Sequence, residues 1–109
     1  MRETIYRGKN IDTGKWEYGF LAPYKDMQFV IVDYISERKS VFHFVDQETI
    51  GEYTGLLDKN DKKIFEGDCL GHKCNVVEWL NGGFCINGDR PLLWIYKDSE
   101  VIGSIHDSR

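Results

Sequence analysis

Apolar positions along the chain come in short clusters separated by Gly, Asn and Asp, and several alternate with polar ones, which is the spacing of strands. Residues 5–7 and 16–21 flank Asn10-Ile11-Asp12-Thr13-Gly14-Lys15, where Asp-Thr-Gly suits a turn with Gly at positive φ, so a first hairpin is predicted. Residues 27–34 contain the unbroken run Phe29-Val30-Ile31-Val32, the pattern of a strand covered on both faces. Residues 41–45 are a second β-branched and aromatic stretch, and Ser36-Glu37-Arg38-Lys39-Ser40 between them reads as a loop or a short helical turn.

From Thr49 the texture changes to TIGEYTGLLDKNDKKIFEGDCL. Residues 49–53 read as a strand that Thr54-Gly55 leaves, Lys59-Asn60-Asp61-Lys62 is a polar turn, and Gly67-Asp68 opens a new strand. Asn81-Gly82-Gly83 between residues 75–80 and 84–86 is a strong hairpin signal, because Asn and Gly tolerate the positive φ values such turns need. Residues 92–96 and 101–105 are the last two expected strands. The fold class is therefore expected to be all-β: a hairpin-rich segment over residues 1–48, then a small closed or half-closed barrel over residues 49–109, in one compact unit.

Composition narrows the function. The 109 residues are 41% hydrophobic and 29% charged, which suits a globular domain and excludes a disordered or fibrous chain. No apolar run approaches the roughly 18 residues of a membrane-spanning helix, and the start MRETIYRGKN lacks a secretion-signal pattern, so a soluble, cytoplasmic protein with no membrane partner is expected. Lys plus Arg number 14 against 18 Asp plus Glu, a net charge of −4, shared evenly between the two halves with no basic stripe. That disfavours a dedicated nucleic-acid binder.

Three cysteines, Cys69, Cys74 and Cys85, in a chain without a signal argue for reduced thiols. With His72 they offer four N/S ligands, but the spacing lacks the tight Cys-x2-Cys knuckle of structural zinc sites, so no metal or other cofactor is expected.

Specific residues then point to a family. The block TIGEYTGLLDKNDKKIFEGD resembles the Gly-x-Tyr-Thr-Gly-Leu-x-Asp-Lys-Asn signature of the YopX family of phage and prophage proteins, which leads to a Glu-Gly-Asp turn. The opening RGKNIDTGKWEYGFL is similar to that family's amino-terminal hairpin, and EVIGSIHD to its closing Ile-Gly-Asn-Ile-His motif. Ser104 stands where the family has Asn, and Ser108-Arg109 replaces a Pro-Glu tail. The resemblance implies an SH3-like barrel in the carboxy-terminal half and a β-rich segment before it. It implies no activity and brings no functional residues with it.

The tempting catalytic patterns fail on geometry. On a strand Ser104 and His106 would share a face about 7 Å apart while Asp107 points away, so no triad can form locally. Asp58-Lys59-Asn60-Asp61-Lys62 starts like a calcium loop, yet its sixth position is Lys63 where Gly is required and its twelfth is Cys69 where Glu is required. A hydrated turn accounts for it. Glu66 and Asp68, on either side of Gly67, read as a surface turn, with no burial to tune an acid and a base.

Aromatic residues carry the remaining signal. Trp16, Tyr18, Phe20, Trp79, Phe84, Trp94 and Tyr96 alternate along predicted strands, and 14% aromatic content exceeds what a small barrel encloses. Trp16, Tyr18, Trp94 and Tyr96 are the candidate binding residues, for self-association or a host or phage protein. The expected function is a non-enzymatic protein-binding accessory protein. The alternative is a nucleic-acid-binding small barrel with phosphate contacts from Arg2, Arg7, Lys9, Lys15, Lys73, Arg90 and Lys97.

Overall fold

The computed structural model describes residues 5–88 and 90–107. Arg2, Ser108 and Arg109, singled out above, lie outside them. Among the described residues there is no α-helix; strands are joined by tight turns and short 3-10 turns. The described strands are β1 (Tyr6–Lys9), β2 (Trp16–Pro23), β3 (Phe29–Ser36), β4 (Lys39–Phe44), β5 (Gly51–Leu57), β6 (Lys63–Phe65), β7 (Asp68–Leu70), β8 (Asn75–Leu80), β9 (Gly83–Ile86), β10 (Arg90–Pro91) and β11 (Val101–Ser104). They form two antiparallel sheets, ordered β4-β3-β2-β1-β5-β6 and β10-β9-β8-β7-β11. The chain divides into two compact units at Glu52/Tyr53, within β5.

In the first unit β1 to β4 make a meander, and the start of β5 joins β1 through Arg7 opposite Gly51. The first turn is the one the sequence predicts: Gly14 has φ +73°, and the Asn10 side-chain oxygen accepts the backbone N–H groups of Asp12 and Thr13. Beyond β4 a single bridge pairs Asn10 with Val45, reinforced by Ile11 N–H to Phe44 O at 2.9 Å and Asp46 N–H to Lys9 O at 2.8 Å. The following 3-10 turn, Gln47–Thr49, is capped by the Asp46 carboxylate and fixes both neighbours. Thr49 Oγ1 accepts the Lys9 N–H, and the Gln47 amide bonds both the N–H and the C=O of Phe29. Val30, Ile31 and Val32 are buried, as their unbroken apolar run implies.

The second unit packs around Ile64, Leu70, Val77, Ile86, Leu92 and Val101. The β8–β9 hairpin turns on Asn81 and Gly82, both at positive φ, as predicted. The family-like block folds as a bulged hairpin. Gly55 at φ +87° breaks the register between Tyr53 and Leu57, and the Thr54 hydroxyl donates to Ile64 O at 2.8 Å. This makes β5 continue through Thr54-Gly55 to Leu57, where the sequence suggested that the strand ended.

Four other expectations are corrected. Cys69 and Cys74 form a disulfide, with Cα atoms 4.3 Å apart. The cause is the tight Gly71–Cys74 turn, in which Cys74 N–H bonds Gly71 O and Gly71 takes φ +72°. Residues 92–96 are not a strand: Pro91 fixes φ and lacks an N–H, and Leu92–Trp94 and Tyr96–Asp98 wind into 3-10 turns held by Ile95 N–H to Leu92 O. Asp58 is buried rather than hydrated, and so is Asp68. Finally β11 ends at Ser104, so Ile105 to Asp107 form a turn and not a strand end.

Candidate functional site

Directly opposed residues in an antiparallel sheet point to the same face. The register therefore places Phe20, Val32 and Phe42 in one row and Ala22, Val30 and Phe44 in the next. Tyr18 precedes the first row on β2, Tyr34 follows it on β3, and Tyr24 extends the second row just past β2. Val30 and Val32 are small and lie at 3% and 4% exposure between flanking rings. Tyr18, Phe20, Tyr24, Tyr34, Phe42 and Phe44 stand over them at 42–64% exposure. Phe20 meets Tyr34 edge-on at 5.5 Å between ring centroids, and Tyr24 meets Phe44 at 5.2 Å. These are the favoured offset geometries for aromatic pairs, and they hold the rings as a preset surface.

The two faces of this sheet differ in charge. Glu17, opposite Gly8, lies on the other face, where His43 Nδ1 sits 3.0 Å from its carboxylate and the Asn10 amide donates to the same oxygen. Ile31, wholly buried, is on that face too. Along β1 to β4, among the described residues, the aromatic face carries no carboxylate; Arg7 and Lys9 on β1 lie on it and are buried, and Lys25, in the turn after Tyr24, is exposed with its ammonium 5.8 Å from the Tyr24 ring. The Arg7 guanidinium lies 4.0 Å over the Trp16 ring and the Lys9 ammonium 5.4 Å from it. Trp16 is thus a half-buried platform for two cations, whereas Tyr18 belongs to the exposed surface.

Trp94 and Tyr96 lie elsewhere, in consecutive 3-10 turns of the second unit. Trp94 is 77% exposed, while Tyr96 packs against the Ile64–Leu92 core. A pocket of about 350 Å³ in this unit is lined by Thr54, Leu56, Trp79, Phe84, Leu92 and Leu93, with Trp79 and Phe84 edge-on at 4.8 Å. Sequence reading picked out Tyr18 and Phe20 but missed Tyr24, Tyr34, Phe42 and Phe44. The alternation of Phe42 and Phe44 about His43 was the available signal for the last two.

The groups with catalytic appearance hold backbone instead. Asp107 Oδ2 accepts the Ser104 N–H at 2.8 Å, and the Ser104 hydroxyl oxygen accepts the His106 N–H at 3.1 Å. Gly67, at φ +91°, accepts Ile105 N–H through its carbonyl, so the Glu-Gly-Asp turn and the closing motif are joined to one another. Asp68 caps the same turn by accepting the Phe65 N–H. Asp58 accepts three N–H groups, from Asn60, Lys62 and Val101. Burial alone would raise its pKa, but the bonds from Val101, Lys62 and Asn60 and the Lys62 charge outweigh it and hold the carboxyl below its ordinary value. Among the described residues no group of three or more His, Cys, Asp or Glu side chains is arranged to hold a metal ion.

The family model described as YopX protein matches residues 5–109. Among solved structures, the chain is similar to the crystal structure of protein EF1440 from Enterococcus faecalis, at 20% identity and a TM-score of 0.59, over 99% of this chain and 96% of that one. At this identity the likeness speaks to fold. No curated protein matches the chain.

Proposed function

The chain belongs to the YopX family, and from that premise we propose that it is a non-enzymatic accessory protein of a phage or prophage that works in the bacterial cytoplasm by binding another protein. The observation that carries this reading is the exposed aromatic face of β2, β3 and β4. Six rings on one sheet face exceed the scattered apolar exposure normal for a surface and supply rigid contact area at low entropy cost. The serine and aspartate side chains that would serve chemistry are instead used to fasten turns. Among the described residues no helix is long and apolar enough to cross a membrane.

The finer architecture we favour for the second unit is a half-open SH3-like barrel. Its support is the connectivity of β7 to β11: short antiparallel strands, 3-10 turns before the last, and a last strand that returns to pair with β7. Trp94, exposed on those turns, is a secondary contact candidate.

The test is a tagged pull-down from host cells, with and without nuclease, comparing wild type with a Phe20→Ser/Tyr34→Ser variant. A protein recovered after nuclease treatment by wild type alone supports the reading. Recovery that vanishes with nuclease, or that the variant retains, overturns it, and the former outcome favours nucleic acid.

A further inference from the structure

We infer that the partner of the aromatic face is a second copy of this chain, which docks the same face about a twofold axis. The inference rests on the protein-binding reading above and narrows it to one occupant. Three observations favour self-association over other occupants.

The first is area. Six rings, each about half exposed, present roughly 600 Å² of apolar surface, taking about 200 Å² for a whole ring residue. A stable interface covers about 800 Å² on each partner. One face laid on its copy reaches most of that, and Met27, 94% exposed in the turn after Tyr24, adds to it.

The second is charge. The whole chain carries −4, so two copies repel overall and any close contact between them must avoid carboxylates. On this face the residues from Tyr18 on β2 across to β4 are Tyr18, Phe20, Ala22, Val30, Val32, Tyr34, Ser40, Phe42 and Phe44, with no Asp, Glu, Lys, Arg or His among them. Apposing the β2 to β4 strand residues of two such faces desolvates no charge; Lys25 and Asp26, in the exposed turn beside Tyr24, lie at the rim. A twofold interface also demands that one patch complement itself, and an uncharged aromatic patch does so without matched donors and acceptors.

The third is the position of the cations. A nucleic-acid strand stacked on these rings needs Lys or Arg heads beside them to neutralise phosphate. Of the basic residues beside the rings, Arg7 and Lys9 are 5% and 7% exposed and lie against Trp16, which leaves Lys25, exposed 5.8 Å from the Tyr24 ring, as a single phosphate contact among the described residues. The charge of Arg7 and Lys9 is used inside the unit, and one exposed lysine does not line a strand-length groove.

Sedimentation-velocity centrifugation of the purified full chain over a wide concentration range tests this directly. Wild type is expected to move from one-chain to two-chain mass as concentration rises. Phe42→Ser raises the dissociation constant about thirtyfold, as loss of a central ring does, and Tyr34→Lys, which buries an unpaired ammonium in the apolar interface, leaves a monomer. Far-UV circular dichroism shows both variants folded, since both side chains are more than half exposed. A wild type that stays monomeric throughout, or a dimer that both variants preserve, overturns the inference. So does an oligonucleotide that binds wild type and not Phe42→Ser. A monomeric wild type that still captures a nuclease-resistant partner through this face refutes the second copy and keeps the broader reading, whereas failure of both experiments removes both.

Discussion

The two units differ in where their buried and exposed apolar side chains gather. In the second, hydrophobic side chains converge on Ile64, Leu70, Val77, Ile86 and Leu92, and the polar residues of the family-like block turn inward to fasten loops: Thr54 to Ile64, Asp58 to Val101, Asp68 to Phe65. In the first, small valines are buried between strands while the large rings around them are left in solvent. The difference separates what identifies the chain from what it can do. The central family-like block is structural, and the surface suited to contact lies outside it on β2, β3 and β4, with Tyr18 and Phe20 coming from the amino-terminal segment that also resembles the family.

If that contrast is right, the largest losses of stability follow substitutions in the second unit. Ile64→Ala is expected to cost about 4 kcal/mol in urea unfolding, because it removes a wholly buried side chain from the centre of the core. Asp58→Ala should cost about 3 kcal/mol, since it leaves three N–H groups without their acceptor, two in the turn and one on β11. Comparable losses from the exposed rings of the first unit would erase the distinction.

Reduction of Cys69–Cys74 comes next. The loop it closes is short, with a sequence separation of 5. Chain-entropy arguments give about 2 kcal/mol for such a loop, read as a shift of the urea midpoint on adding reductant. A smaller effect is expected from pH. The folded carboxyl of Asp58 lies below its ordinary value, so its contribution is complete above the unfolded pKa of about 3.9 and is lost as pH falls through the folded one. Unfolding midpoints followed downward from about pH 5 should decline more steeply in wild type than in Asp58→Asn. Smallest of all, Phe42→Ser should change the stability of the monomer by less than about 1 kcal/mol, while strongly weakening association. A ring whose removal unfolds the protein would belong to a core and not to a contact surface.

Much of the fold was legible because its turns are chemically explicit. Asn10 to Lys15 and Asn81-Gly82 carry the side chains and glycines that their geometry requires, and the hairpins form where those residues stand. Where tertiary hydrogen bonds override local preference, the sequence was silent. Asp58 and Asp68 look like ordinary surface carboxylates until β11 and Phe65 supply N–H donors to them. The Cys69–Cys74 pairing depends on one four-residue turn whose backbone shape no spacing rule contains. The aromatic face escaped for a different reason. An unbroken run such as Phe29 to Val32 implies cover on both sides, and nothing in it says that one cover is a layer of the sheet's own rings, open to solvent above.

A sheet with so much apolar surface and an outer strand invites uncontrolled growth, strand added to strand into a fibre. The bridge between Asn10 and Val45, with its neighbouring bonds to Phe44 and Lys9, occupies the far end of β4 with the chain's own backbone. A templated ribbon would have to break those bonds before it could lengthen. For the twofold pairing proposed above, that occupied edge means that growth strand by strand along this end of β4 is opposed, and a face-to-face pair stays a closed assembly.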